Sequence, residues 1–164
     1  MPRFLSLDPL DLDMFELMPP NMTTHFKPAG GFLDWFLYTF QNDMIFEVGA
    51  GQCEFAAFLY TRGMKVLAIE PRPNDKVVRQ CASFLLPIAM QKATVLRDCP
   101  AVVVVARPDH SGWVEKLLDI VHPQSRIVYI GLPENVDRDL PGRQLSKLYV
   151  NAGEDDEIVY EVIR

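Results

Sequence analysis

The chain lacks paired metal ligands and paired cysteines. Its 164 residues include three cysteines and three histidines, and none shows a metal-site spacing such as C-x-x-C or H-E-x-x-H. An odd number of cysteines without framework spacing also argues against a disulfide-stapled scaffold and is typical of a reducing compartment. We therefore expect no bound metal and a cytoplasmic location.

The chain also has no excess of positive charge and no long apolar run. Its formal net charge is −6, which argues against non-specific nucleic-acid binding because such binding needs a basic face. No apolar run approaches the roughly 20 residues that a membrane span requires. The N-terminal segment is too acidic and too often interrupted by proline to be a secretory signal. We expect neither a membrane nor non-specific nucleic acid as a partner.

What the chain does contain is a strand–turn–helix–strand pattern in its first half. An apolar run at residues 44–48 leads into Gly49 and Gly51, and a second apolar run at residues 66–69 ends in Glu70. Between the two runs, apolar residues recur at the three- and four-residue steps of a helix. The unit spans about 30 residues, which is the size expected for a βαβ motif.

The two glycines and the acid indicate a nucleoside site. Gly49 and Gly51 carry no side chain, so the backbone can turn tightly and approach a ligand closely. Glu70 lies 19 residues beyond Gly51, where an acid at the end of the second strand can bind a ribose hydroxyl. The alternative is an ordinary turn of a parallel sheet that binds no ligand.

Two further acids discriminate between kinds of nucleoside. The dinucleotide fingerprint G-x-G-x-x-G requires glycine where this chain has Glu54, and a carboxylate there would repel a pyrophosphate. A nicotinamide-dependent oxidoreductase is therefore disfavoured. Glu47 stands just before the glycines and suits a ligand that carries positive charge, such as the ammonium group of an amino acid.

The acid and the two glycines together resemble a known motif. The segment from Glu47 to Gly51 is similar to motif I of the class I S-adenosylmethionine-dependent methyltransferases, D/E-x-G-x-G-x-G, with Cys53 in place of the last glycine. The resemblance implies S-adenosylmethionine as the cofactor, held by Glu47, Gly49 and Gly51. It also implies that Glu70 binds the ribose hydroxyls.

The rest of the chain continues the alternation of strands and helices. We predict strands at residues 93–96, 101–106 and 126–130, helices at 30–40 and 75–86, and an antiparallel hairpin at 148–151 and 157–163. The continuous β-branched run at 101–106 is typical of a strand buried on both faces of a parallel sheet. The pattern predicts one doubly wound α/β domain over residues 30–164. The methyltransferase resemblance implies a mostly parallel, seven-stranded sheet of order 3-2-1-4-5-7-6 that is closed by the hairpin.

The third predicted strand ends near Asp98. In the methyltransferase family an acid at the end of this strand contacts the adenine amino group. The resemblance therefore makes Asp98 a cofactor-binding candidate. The alternative is a solvated turn aspartate.

The catalytic candidates are Asp109 and His110, which follow the predicted fourth strand at the sheet edge where open α/β sheets bind ligands. The segment from Arg107 to His110 stands where amino-methylating members carry Asn/Asp-Pro-Pro-Tyr, so the sequence does not name the acceptor. Histidine titrates near neutral pH, so His110 can act as a base, or it can be a solvated loop residue. Methyl transfer from a sulfonium requires mainly proximity and orientation.

Three further segments carry structural predictions. Residues 1–29 are apolar between prolines, which predicts an arm that packs on the domain, covers a site, or joins a second copy or a partner subunit. The aromatic helix at residues 30–40 is either core or the wall of a lid. The acidic run at residues 154–157 is interpreted as a solvated hairpin loop.

These patterns predict an S-adenosylmethionine-dependent methyltransferase that acts on an unidentified small-molecule or macromolecular acceptor. The alternative is a non-catalytic scaffold or regulatory subunit that binds S-adenosylmethionine on the same fold. The short chain, without a substrate-recognition insertion, leaves that alternative open.

Overall fold

A computed structural model describes residues 26–49, 54–69, 88–89, 93–108 and 112–164. Several predicted features lie outside these ranges: most of the N-terminal arm, the helix at residues 75–86, and the site residues Gly51, Glu70, Asp109 and His110.

Helices and strands alternate along the described chain. In order, they are α1 (Gly30–Thr39), β1 (Met44–Val48), α2 (Glu54–Thr61), β2 (Lys65–Ile69), β3 (Ile88–Ala89), α3 (Ala93–Asp98), β4 (Val102–Ala106), α4 (Trp113–Ile120), β5 (Arg126–Gly131), a 3₁₀ helix (Pro133–Asn135), α5 (Val136–Asp139), β6 (Leu145–Tyr149) and β7 (Ile158–Val162).

The strands form one mixed sheet in the order β3-β2-β1-β4-β5-β7-β6. The first five strands along this order pair in parallel, whereas β7 is antiparallel to both β5 and β6. All five residues of β4 are buried, as expected for a β-branched strand covered on both faces. The predicted α/β class and C-terminal antiparallel hairpin are confirmed, although the first hairpin strand begins at Leu145 rather than at residue 148.

Each face of the sheet carries its own core because side chains alternate along a strand. On one face Ile45, Val104 and Val159 pack with α1 and α2, and on the other Phe46 and Val103 pack with α4.

The sheet has two edges at which strands begin and end. We call the end at which the parallel strands finish the carboxyl edge, and the end at which they start the amino edge.

Helix α1 supplies the aromatic part of the first core. Phe32, Phe36 and Phe40 follow one another at four-residue steps and are fully buried, which places them on one helix face. The rings of Phe36 and Phe40 lie 4.7 Å apart between centroids. Of the two interpretations of this helix, core packing is therefore confirmed.

A buried polar contact joins α5 to the sheet. The Tyr129 hydroxyl donates a hydrogen bond to Asp139 Oδ2 at 2.6 Å, and Arg138 Nε donates to Asp139 Oδ1 at 3.0 Å. Burial, and then the hydrogen bond with Asp139, raise the pKa of Tyr129. A Cβ at Gly131 would lie 2.5 Å from the Tyr129 hydroxyl oxygen, so only glycine fits beside this ring.

The prediction of a third strand at residues 93–96 is wrong. These residues begin helix α3, and the third strand is the short β3. Leu96 is buried against the α4 side of the sheet while Arg97 is exposed, and the Leu96 carbonyl accepts a hydrogen bond from the His122 amide at 2.8 Å. A short apolar run does not distinguish strand from helix. In this protein the segment is helical, and its Leu96 packs into the core on the α4 side of the sheet.

Candidate functional site

The carboxyl edge has a switch point between β1 and β4. From β1 the chain continues to β2 and β3 on one side, whereas β4 and β5 lie on the other. Glu47 is in register with Val104, so Gly49 lies at the level of the end of β4. Open α/β sheets bind their ligands in the crevice at such a point. The candidate site is therefore this crevice.

Glu47 is the acid at the end of β1. It is 1% exposed and shares a sheet face with Ile45, on the side of α1 and α2. A carboxylate is buried this deeply only where surrounding polar groups or a bound cationic ligand stabilise its charge. Its burial beside the switch point suits it to contact a ligand.

Gly49 turns the chain out of β1. Its φ is 73°, in the left-handed region that favours glycine, and its amide donates a hydrogen bond to the Ile69 carbonyl at 2.8 Å. This contact ties the turn to the carboxyl end of β2. The backbone therefore remains close to the crevice without a side chain in the way.

Arg107 turns the chain out of β4 in a less usual way. Its φ is 48°, although it is not a glycine, and its amide donates to the Ile130 carbonyl at 2.7 Å. Its guanidinium Nη1 donates to Asp155 Oδ2 at 3.0 Å and lies 3.8 Å from Glu157 Oε2. Left-handed backbone outside glycine is uncommon and is concentrated at functional positions.

The prediction that residues 154–157 form a solvated loop is wrong for Glu157. Its side chain is 0% exposed, whereas that of Asp155 is 62% exposed. Glu157 precedes β7 and lies two residues before the buried Val159. Both belong to the face on which Glu47 lies, because alternate residues share a face. The alternation of β7, extended back by one residue to position 157, is the sequence signal that could have identified this buried acid.

The end of the predicted arm, residues 26–29, packs on the domain at the carboxyl edge. We call these residues the N-terminal strap. Pro28 forms an antiparallel bridge with Gly153, and the Ala29 amide donates to the Ala152 carbonyl at 2.7 Å. Phe26 is buried, with its ring centroid 5.7 Å from that of Phe55 in α2. The strap thus connects the hairpin side of the site with the helix that follows the glycine turn.

The structure places two of the predicted site residues at the switch point and a third away from it. Glu47 and Gly49 lie side by side at the switch point. Asp98 is at the end of α3, exposed, and bonded to its neighbour Arg97. Because β4 starts only four residues later, at Val102, Asp98 is at the amino edge. The adenine contact predicted for Asp98 is wrong, since that role requires the opposite edge.

The described ranges contain neither a candidate metal centre nor a candidate membrane-spanning helix. There, no group of three or more His, Cys, Asp and Glu side chains could hold a metal ion. None of the helices in the same ranges is long and apolar enough to cross a membrane.

No protein-family model and no curated protein sequence matches the chain. Solved structures do superpose on it. A mutant of MtNAS in complex with S-adenosylmethionine superposes with a TM-score of 0.60 at 17% identity, covering 82% of this chain and 60% of MtNAS. The ribosomal protein L11 methylase of Lactobacillus delbrueckii subsp. bulgaricus gives a TM-score of 0.55 at 14% identity, covering 81% of this chain and 76% of the methylase.

A third solved structure is similar to the same extent. The 1,6-didemethyltoxoflavin-N1-methyltransferase of Burkholderia thailandensis, with bound 1,6-didemethyltoxoflavin and S-adenosylhomocysteine, gives a TM-score of 0.53 at 10% identity, covering 81% of this chain and 76% of that enzyme. This chain has the class I methyltransferase fold. The resemblance noted at Glu47 and Gly49 is thereby confirmed at the level of the fold.

Proposed function

We propose that this chain is an S-adenosylmethionine-dependent methyltransferase that acts on a small-molecule or macromolecular acceptor. The observation that carries the proposal is the buried carboxylate of Glu47 beside the left-handed turn at Gly49, at the switch point of a methyltransferase fold. A fold alone does not define a function. The acid and the turn at the crevice are the features that suit this fold to binding S-adenosylmethionine.

The similar structures and the sheet support this cofactor. MtNAS was crystallised with S-adenosylmethionine, and the toxoflavin enzyme with S-adenosylhomocysteine. The strand order, with the reversed β7 lying between β5 and β6, supports the class I methyltransferase-like arrangement expected from the sequence.

The residues at the switch point fit the cofactor. S-adenosylmethionine carries an ammonium group and a sulfonium, and the buried Glu47 offers a negative charge that is little screened by water. We assign Gly49 and Gly51 to the turn that allows the ligand to approach the backbone. Glu70 is assigned to the ribose hydroxyls, as in the family that the motif resembles.

The reaction needs little chemistry from the protein. Bound S-adenosylmethionine supplies a methyl group that is already activated for in-line displacement. The chain contributes orientation, through the glycine turn and Glu47. We assign Asp109 and His110 to the acceptor, with His110 as the base when the acceptor must lose a proton.

The first test is isothermal titration of the purified protein with S-adenosylmethionine, S-adenosylhomocysteine and NAD. We expect the adenosyl ligands to bind with a Kd of about 1 μM, roughly −8 kcal/mol, and NAD to give no response. Glu70→Ala should weaken adenosyl binding, whereas Asp109→Ala should leave binding unchanged and stop methyl transfer. Absence of adenosyl binding, or equal binding of NAD, would contradict the proposal.

A further inference from the structure

Glu157 differs from the other acids of its loop because its charge is fully buried. One of its carboxylate oxygens, Oε1, accepts a hydrogen bond from the Asp155 amide at 2.8 Å. The other, Oε2, has no hydrogen-bond partner among the residues that the structure describes, and lies 3.8 Å from the guanidinium of Arg107. A buried, incompletely satisfied carboxylate is costly to a fold. Stability alone does not account for it.

The carboxylate of Glu157 is also enclosed. A Cβ at Gly153 would lie 2.7 Å from Glu157 Oε2, 2.7 Å from the Lys27 carbonyl oxygen and 2.9 Å from the Phe26 ring. Glu157 Oε2 and the strap therefore both lie against Gly153, where a side chain would not fit. The Glu157 side chain is 0% exposed, and its Oε2 lies 3.8 Å from Arg107 Nη1.

Arg107 combines an unusual backbone conformation with a side chain that contacts two acids. The left-handed region is unfavourable for a residue with a Cβ. Its guanidinium donates to Asp155 Oδ2 at 3.0 Å and lies 3.8 Å from Glu157 Oε2, and the side chain as a whole is only 18% exposed. Because its amide is bonded to Ile130, the anchored side chain and the amide together determine the direction in which the chain leaves β4.

That direction matters because Arg107 lies at the crevice. Glu47 is in register with Val104, so the residue after β4 stands just beyond the level of Gly49. The turn at Arg107 and the turn at Gly49 form the two sides of the switch point. A change in the path of one would alter the width of the crevice between them.

We propose that Glu157 is a positioning residue for the cofactor site, acting through Arg107. Its buried charge holds the guanidinium and so fixes the left-handed turn that forms the β4 side of the crevice. The inference rests on the proposed function, since the ligand whose affinity reports the crevice is an adenosyl compound.

The test is a double-mutant cycle on the affinity for S-adenosylhomocysteine, with thermal unfolding measured on the same samples. Glu157→Gln keeps the shape of the side chain and removes its charge, and it should weaken binding about tenfold. Arg107→Ala should weaken binding to a similar degree. Arg107→Gly adopts the left-handed turn without an anchor, so it should bind within about twofold of the wild type.

The decisive variant combines Arg107→Gly with Glu157→Gln. Because the glycine no longer needs the anchor, the double variant should bind like Arg107→Gly alone. Glu154→Gln is the matched control: its carboxylate belongs to the same loop but is 70% exposed and lies 3.8 Å from Lys27 Nζ, so binding should change by less than about twofold.

The possible outcomes separate the two proposals. A wild-type chain that binds no adenosyl ligand contradicts the proposed function itself. A wild-type chain that binds, with equal affinities for the Arg107→Ala and Arg107→Gly variants, contradicts the positioning role. A lower unfolding temperature for Glu157→Gln without a change in affinity would also contradict the positioning role, because the acid would then serve only the stability of the fold. If Glu157→Gln does not fold, the comparison of the two Arg107 variants decides.

Discussion

The two ends of β7 carry similar pairs with opposite properties. Near the amino edge, Glu161 accepts two hydrogen bonds from Arg126, at 2.9 and 2.8 Å, and both side chains are partly exposed. At the carboxyl edge, Glu157 is fully buried and lies 3.8 Å from Arg107. The first pair has two hydrogen bonds and is partly exposed to solvent, whereas the second has no hydrogen bond between its members and its acid is buried.

Other contacts at the two edges differ in the same way, with exposed or partly exposed pairs at the amino edge and buried charge at the carboxyl edge. At the amino edge the guanidinium of Arg164 donates to the carbonyls of His122 and Leu118, which lie at the end of α4, where a cation is favourable. At the carboxyl edge lie the buried Glu47 and the left-handed Gly49. The amino edge therefore stabilises the fold, and the carboxyl edge carries buried charge and unusual backbone at the ligand crevice.

The sharpest test of this division is a pair of isosteric changes, Glu47→Gln and Glu161→Gln. We expect Glu47→Gln to weaken S-adenosylmethionine binding by roughly 10- to 100-fold, because an interaction with a charged partner contributes roughly 1.5–3 kcal/mol. Glu161→Gln should leave the affinity unchanged. Isothermal titration of both variants measures the difference, and equal affinities would remove Glu47 from the site.

A second pair concerns two glycines with similar backbone at opposite edges. Gly49 and Gly142 have φ of 73° and 67°, so replacing either by alanine should cost about 1 kcal/mol of unfolding free energy. Gly142 has open space around it and precedes β6 at the amino edge. Only Gly49→Ala should also weaken adenosyl binding, by about tenfold.

This second comparison is checked by urea unfolding together with ligand titration. Similar losses of stability with unequal losses of affinity are the expected result. Loss of affinity in Gly142→Ala as well would mean that binding follows overall stability and does not depend on the edge.

The smallest expected effect is a pH dependence at the amino edge. The hydrogen bond from Arg126, which outweighs the opposing effect of burial, lowers the pKa of Glu161 below its ordinary value of 4.5. The folded state then binds fewer protons than the unfolded state, so this contribution is present above about pH 4.5 and is lost as the pH falls through the folded pKa. For a partly exposed pair, we expect about 0.5 kcal/mol.

The measurement is urea unfolding of the wild type and Glu161→Gln from pH 7 to pH 3. The difference in unfolding free energy between the two proteins should shrink as the pH falls. A difference that stays constant over this range would mean that the Arg126 contact does not stabilise the ionised acid.

Local sequence patterns predicted most of the sheet. The bounds of β1, β2, β4 and β5 agree with the apolar runs to within one residue, because buried strands need β-branched and apolar side chains. The glycine turn was also predictable, since a left-handed φ at Gly49 depends on that residue alone. For the candidate site, the acid Glu47 was identified by its position before the turn.

The prediction failed where a short segment carried too little periodicity. Residues 93–96 read equally well as strand or helix, and the packing of Leu96 accompanies the helix. Asp98 was assigned to the site only because that strand was expected to end there. Its true position at the amino edge follows from the helix that it ends.

The sequence by itself determined the strand–turn–helix pattern and placed Glu47 beside Gly49, because these features depend on neighbouring residues. Tertiary structure decided the environment of Glu157. Pairing of β7 with β5 brings this acid to the end of β4, beside Arg107 and Gly153. No local pattern specifies that contact, since its partners are far apart in the chain and meet only when the sheet is assembled.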